Sequence, residues 1–468
     1  MSAVGFARRD ASAPRLLLAG TVSIGLALLA ATALRGTSGK LETAVVISLA
    51  VYGLLLHKLF SGSAKLLCVP NLFGVLWVVW FPLRLLIVQA DRQNVALHPL
   101  VRAASDDELV VVWLLALLGF ICFSLGVGAV RRASLRHATS PSAPALRRSI
   151  YLLIAIVGLG VSWVQTLAHV RSGILGEVGS VFLLGIAGAA FLDVHDRHFS
   201  WTIRALVGAG VLLGIATSFK STAVAPLIAW SLGSVLGGLR ISRLRFLFAL
   251  LVGLCAFAGV QGQRLTGGSN PFANARSALF DYDLRTGLPA RQADAGAAFT
   301  NLLRGVANRT AGADALVVVR AKTPSMTPFQ RGKTLWEPAA SVLPGVRALL
   351  DENLNQLSLG RYFSTQFWSV DPANDPSSQA ITLPGDLYLN FGTVGVAAGM
   401  LAIGLLCGGF ERRFPSYTAL GAGVLAYAGM PLAMVESNVA YSLVTAAMRL
   451  AIVFGLLMLV GRTNSATA

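Results

Sequence analysis

Charge is scarce in this sequence. Asp, Glu, Lys and Arg make up 13% of its 468 residues, and the acidic ones are the rarer, 21 against 38 basic. So little charge could not keep a chain of this size in water, which excludes an ordinary soluble enzyme or binding domain. Cysteine is rare too. Its four copies, Cys68, Cys122, Cys255 and Cys407, each fall in or at the end of an apolar run, so neither a disulfide framework nor a cysteine metal site is expected. No P-loop, Rossmann fingerprint, HExxH or CxxC occurs, which leaves ATP hydrolysis, nicotinamide chemistry and zinc chemistry without a basis in the sequence. No acidic cluster asks for a divalent metal, and no cofactor is expected.

What the chain has instead is apolar length. Hydrophobic residues make up 55% of it, and its mean hydropathy is +0.69. They gather in runs of about 17 to 22 residues, the length a helix needs to cross about 30 Å of hydrocarbon. Runs such as Leu109 to Val130 are continuous rather than alternating, which argues against an outer-membrane barrel. The expected fold is therefore an all-α polytopic membrane protein with about 12 transmembrane helices. Nine are expected in residues 1–262: Leu16 to Ala33, Leu41 to Leu59, Val69 to Val88, Leu109 to Val130, Ile150 to Ala168, Val178 to Leu192, Ala205 to Phe219, Thr222 to Leu239 and Phe246 to Gly262. A polar interval of residues 263–384 follows, and residues 385–468 carry three more, Asp386 to Cys407, Tyr417 to Val435 and Ser442 to Val460.

Basic residues orient the chain, since short loops rich in Lys and Arg stay cytoplasmic. Counting from an inside N-terminus with Arg8, Arg9 and Arg15, the inside loops carry Lys58, Lys65, Arg131, Arg132, Arg136, Arg147, Arg148, Arg197, Arg204, Arg240, Arg243, Arg245, Arg412, Arg413 and Arg462. The short outside loops hold Arg35, Lys40, Arg92, Arg102, Arg171 and Lys220. Both termini are then expected in the cytoplasm and the long interval outside. Arg8, Arg9 and Ala31-Thr32-Ala33 also fit a cleavable signal peptide, but the length of the run and the parity of the later loops favour a retained first helix. The net charge of +17 belongs mostly to loops facing anionic headgroups, so membrane lipids rather than nucleic acid are the expected partners.

Ionisable residues in or near the spans are costly and point to polar sites: Arg84, Lys220, Glu436 and Arg449. Glu436 and Arg449 form a natural pair, while Arg84 and Lys220 fall near one leaflet and suit a phosphate-bearing headgroup. The external interval is too long for a simple connector and has amphipathic stretches at Ala297 to Ala307 and Gly312 to Arg320. It mixes arginines, among them Arg309, Arg331, Arg347 and Arg361, with aromatics such as Trp336, Tyr362 and Trp368, a set that fits phosphates and sugar rings as well as a small core.

Several short stretches resemble, in order, the O-antigen and exopolysaccharide repeat-unit polymerases of the Wzy type. They are Leu83-Arg84, Ser218-Phe219-Lys220, Asn308-Arg309-Thr310-Ala311-Gly312-Ala313-Asp314, Phe329-Gln330-Arg331-Gly332, Leu343-Pro344, and the block Pro384-Gly385-Asp386-Leu387-Tyr388-Leu389-Asn390-Phe391-Gly392-Thr393-Val394-Gly395. The last is the most specific. The resemblance implies a glycosyltransferase of GT-C-like architecture in a bacterial inner membrane, with its large loop in the periplasm. Such an enzyme joins undecaprenyl-pyrophosphate-linked oligosaccharides and can meet a polysaccharide chain-length regulator. It needs cations on the departing pyrophosphate, an acceptor for the hydroxyl proton and a cavity aligning two lipid-linked chains.

On that reading Arg309, Lys220 and Arg84 bind pyrophosphate, with Arg347 and Arg361 as further candidates. Asp386 accepts the proton or orients the acceptor sugar, and Tyr388 and Asn390 bind substrate beside it. Asp386 also fits a cap on its own helix, and Gly392 and Gly395 fit close helix packing. Two other classes remain open. A glycan ligase would be expected to use a histidine in the large external loop, and none of the six histidines lies between Gln263 and Pro384. A transporter of the lipid-linked unit would spread polar residues through both leaflets.

Overall fold

A computed structural model describes residues 67–95, 98–135, 146–168, 173–193, 197–217, 220–239, 271–282, 289–290, 292, 294–340, 359–369, 371 and 379–465. It is all-helical, 82% helix with no strands among the described residues. Six helices are long and apolar enough to cross a membrane. They are α1 (Val69–Gln89), α3 (Asp106–Leu135), α4 (Arg148–Leu167), α5 (Leu175–Leu192), α13 (Leu383–Arg413) and α15 (Val439–Ser465). Between α1 and α3 lies the one-turn helix α2 (Pro99–Ala103).

Three further expected spans are helices with shorter apolar stretches: α6 (Arg197–Ala216), α7 (Lys220–Leu236) and α14 (Ala419–Ala433). The runs expected at 16–33, 41–59 and 246–262 lie outside the described residues. Between α7 and α13 the chain forms α8 (Pro271–Phe280), α9 (Ala295–Ala307), α10 (Gly312–Lys322), α11 (Lys333–Ala340) and α12 (Leu359–Trp368).

The frame rests on small residues that let backbones approach. Helices α3 and α13 pack along their length and cross at Gly126 and Gly404. A Cβ added at Gly404 would stand 2.1 Å from the Phe123 carbonyl oxygen, and one at Gly126 would stand 2.3 Å from that of Leu401. Around this crossing Phe73 of α1 stacks on Phe123 with centroids 3.9 Å apart, and Trp77 meets Phe120 at 4.7 Å. A second group gathers on α5, whose entirely apolar second half is buried against α4, α7 and α14.

Two spans contain one-turn π-helices, Val79–Leu83 in α1 and Leu425–Gly429 in α14. The first holds Pro82, which has no N–H to continue the ladder, so one residue is added to the turn and the chain stays helical. Arg84 follows directly. The expectation for α13 needs amendment: it is two helices. Gly392 adopts φ +65°, ψ −152°, backbone that only glycine enters cheaply, and the chain turns sharply there. Residues 383–391 fold back on the span, so that a Cβ at Gly395 would meet the Leu387 carbonyl at 2.6 Å and one at Gly399 the Leu387 side chain. Gly395 thus permits a close approach within its own chain, not between spans.

The segment between α7 and α13 docks on that end of the frame. Helix α10 was expected to be amphipathic and is not. Residues Gly312 to Val319 are all buried, because it lies against α1, α2, α3 and α13 at once. A Cβ at Gly312 would touch Trp80 of α1 at 3.0 Å and Thr382 at 3.3 Å, which measures how tightly α10 is wedged between the two spans.

Candidate functional site

Two polar clusters flank α10. The first is built on Arg84, fully buried at the end of the π-turn. Its guanidinium forks onto Asp314 of α10, Nε to Oδ1 at 2.8 Å and Nη2 to Oδ2 at 2.6 Å, while Nη1 reaches Asn308 Oδ1 at 3.5 Å. A planar donor pair meeting a carboxylate edge-on is the geometry that most favours Arg over Lys. Asn308 opens the 3₁₀ turn Asn308–Thr310 between α9 and α10, so Arg309 sits in a turn tied to Arg84 by its neighbour. The side chains of Arg309 and Lys220 lie outside the described residues, as does the whole of Arg347. Lys220 begins α7, which packs with α5, α6 and α14 rather than with the helices around Arg84.

The second cluster is built on Asp386, which is also fully buried. The Thr334 hydroxyl of α11 donates to its Oδ1 at 2.6 Å, the Asn390 Nδ2 donates to the same oxygen at 3.2 Å, and the Val439 N–H donates to Oδ2 at 3.0 Å. Asn390 further donates to Thr334 Oγ1 at 2.6 Å and accepts the Gly332 N–H at 2.8 Å. Val439 opens α15, so the carboxylate caps the positive end of that helix. The expected cap on its own helix is therefore corrected. Thr382, held at φ +68°, caps that helix by accepting the Gly385 N–H at 3.2 Å, which leaves the Asp386 carboxylate for α15. With three donors and no solvent face, Asp386 acts in this arrangement as a tie between α11, α13 and α15; accepting a proton would first require the knot to open.

Tyr388 projects beside the knot, half-buried, with its ring edge-on to Phe329 at 6.2 Å. Arg361 is half-buried on α12. The pairing expected between Glu436 and Arg449 is also corrected. Arg449 Nε bonds Glu177 of α5 at 2.5 Å, Nη1 bonds the Tyr427 carbonyl at 2.6 Å, and the guanidinium lies over the Tyr427 ring at 5.1 Å. The π-turn in α14 presents both that carbonyl and the Tyr427 hydroxyl, which donates to the Glu177 carbonyl at 2.6 Å.

Residues given no role from the sequence complete these sites. Thr334 gives no local signal, being one threonine in a polar stretch. Asp314 does give one, as the lone acid in Gly-Ala-Asp-Ala-Leu-Val-Val-Val, a run whose burial demands a cation. His98 accepts the Leu100 N–H on Nδ1 at 3.1 Å, so its Nε2 carries the proton and donates to the Phe367 carbonyl at 3.1 Å. Lys322 donates to that same carbonyl at 2.9 Å, and the two residues together close the end of α12. Burial lowers the His98 pKa below its ordinary value and the Lys322 cation lowers it further, against the hydrogen bond to Phe367.

The arrangement can hold a cation-bearing turn and a polar knot rigidly at one end of a helical frame, on either side of α10. Among the described residues no group of His, Cys, Asp and Glu could hold a metal ion. No family model, curated protein or solved structure matches this chain.

Proposed function

We propose that this chain is a membrane glycosyltransferase that polymerises lipid-pyrophosphate-linked oligosaccharide repeat units, with about 12 spans in a GT-C-like frame. The observation that carries this reading is where the block Pro384 to Gly395 lies. The stretch with the most specific likeness to repeat-unit polymerases folds back at Gly392 into a buried knot, and α10 and α11 of the external segment converge on it. Within this reading Arg309 binds the departing pyrophosphate from a turn that Arg84 and Asp314 hold in place. Lys220 is a second cation on the same polyanion. Arg84 is then a positioning residue, since its fork is filled by Asp314, and Asp386 positions the acceptor side by fixing α11 and the start of α15.

The test is to incubate the purified full chain in nanodiscs with lipid-pyrophosphate-linked repeat units isolated from the producing cells and resolve the products by size. A ladder is expected from the wild type, reduced at least tenfold in Arg309→Ala and Lys220→Ala. Well-folded protein that yields no ladder sinks the reading.

A second reading, transport of the lipid-linked unit, is favoured by one feature: a helix broken at Gly392 beside a helix start capped by a buried carboxylate. Ion and substrate sites of transporters are built this way. Movement of the unit across proteoliposomes without lengthening would select it.

A further inference from the structure

The segment between α10 and α11 has a surface that neither polar cluster uses. Gln330 and Arg331 donate their N–H groups to the Leu389 and Asn390 carbonyls at 3.0 and 3.2 Å, so this turn runs along the last residues before the break in α13. Beyond Gly392 the span continues for roughly twenty residues, about 30 Å at 1.5 Å each, and ends in the exposed pair Arg412 and Arg413. The break thus marks the opposite membrane boundary. Helix α15 begins near the same end, because its first N–H bonds Asp386 in the segment folded back from the break. The turn and α11 therefore lie where headgroups lie.

What they expose there is unusual for a face turned to water. Trp336 is 53% exposed, Phe391 50%, Tyr441 of α15 59% and Val394 77%, with Phe329 partly exposed beside them. Arg331 lies in the same turn, next to Gly332 whose added Cβ would meet Phe391 at 3.3 Å, and is exposed and held at φ +50°, a conformation that a residue with a long side chain keeps only when its surroundings impose it. Its guanidinium makes no hydrogen bond or ion pair with the described residues. Trp and Tyr favour the membrane boundary, where an amphipathic ring is wet on one edge and dry on the other, and a cation at that level attracts anionic lipid.

We propose that this face binds an anionic phospholipid, with Arg331 forked onto the phosphate and Trp336, Phe391, Val394 and Tyr441 against the upper acyl chains. The charge decides the class of lipid: the cation has no partner among the described residues and guanidinium matches phosphate oxygens. The site stands independently of the glycosyltransferase reading. It would seat α11, and through Thr334 the Asp386 knot, on the bilayer.

The full chain in mild detergent is titrated with phosphatidylglycerol and with phosphatidylcholine and lipid retention is read by native mass spectrometry, for wild type and Arg331→Gln. Phosphatidylglycerol should be preferred, and Arg331→Gln should weaken it about fivefold, the effect of removing one basic residue near an anionic surface. In nanodiscs containing lipid brominated near the headgroup, tryptophan quenching should fall in Trp336→Phe relative to wild type. Both side chains are exposed, so the variants should keep the wild-type thermal midpoint. Equal retention of the two lipids, an unchanged titration in Arg331→Gln, or unchanged quenching in Trp336→Phe would overturn the proposal. So would displacement of bound phosphatidylglycerol by a polyprenyl pyrophosphate at equimolar amounts, which would assign the site to a lipid-linked substrate.

Discussion

Arg84 and Asp314 stand 230 residues apart and are almost wholly shielded from water. Desolvating both charges offsets much of their attraction, so the pair is worth little relative to a good apolar substitute, while removing one partner leaves the other charge buried without its counter-ion. Arg84→Ala and Asp314→Ala should therefore each destabilise the protein by about 3–5 kcal/mol in detergent unfolding, and the double variant Arg84→Met/Asp314→Leu should recover most of that loss. If the double variant is as unstable as the singles, the fork contributes stability beyond filling space.

His98 gives a pH dependence of defined sign. Its pKa is lowered on folding, so above about 6.5 both folded and unfolded chains hold it neutral and its contact with Phe367 contributes fully. As the pH falls below that value the unfolded chain takes up a proton that the folded one resists. Docking of α12 should weaken progressively from pH 7 to 5, seen as faster amide exchange in α12, and His98→Gln should flatten the dependence. Neither residue role was legible beforehand: an arginine late in a span looks equally fit for a lipid phosphate or a carboxylate, and only the fold brings Asp314 to it.

At the scale of the element, apolar periodicity located the spans to within a few residues at Val69, Arg148, Leu175 and Val439, because a helix crossing hydrocarbon must be apolar for its whole length. The break in α13 was not legible, since Asn390-Phe391-Gly392-Thr393 reads equally well as a continuous helix with a packing glycine. At the break, Thr334 and Val439 hold Asp386, and the turn at residues 330–332 occupies the Leu389 and Asn390 carbonyls, contacts that lie far off in the chain. The crossing of α3 and α13 supports a prediction at this scale. Gly404→Ala would push a methyl into the Phe123 carbonyl, whereas Gly409, on the same helix, has nothing within 4 Å of an added Cβ. Gly404→Ala should cost about 1–3 kcal/mol in detergent unfolding, and Gly409→Ala nothing measurable.

At the scale of the molecule, the first described span, the segment between α7 and α13 and the last spans meet at one end around α10. If the chain polymerises lipid-linked units, sealed vesicles should form the product ladder only when the units are presented on that face. Ladders of equal yield from both faces would break the link between the clusters and the chemistry.

The sequence alone determined that this chain is helical, with runs long and apolar enough to cross a bilayer, because the cost of an unpaired backbone in hydrocarbon leaves helical runs of one length as the solution. It also marked which charged residues needed an explanation. Which partner each charge took was decided by tertiary structure: Asp314 for Arg84, Glu177 for Arg449, the start of α15 for Asp386. An ionic contact inside a protein depends on which surfaces the packing of small residues brings face to face, and hydropathy along a chain carries no record of that.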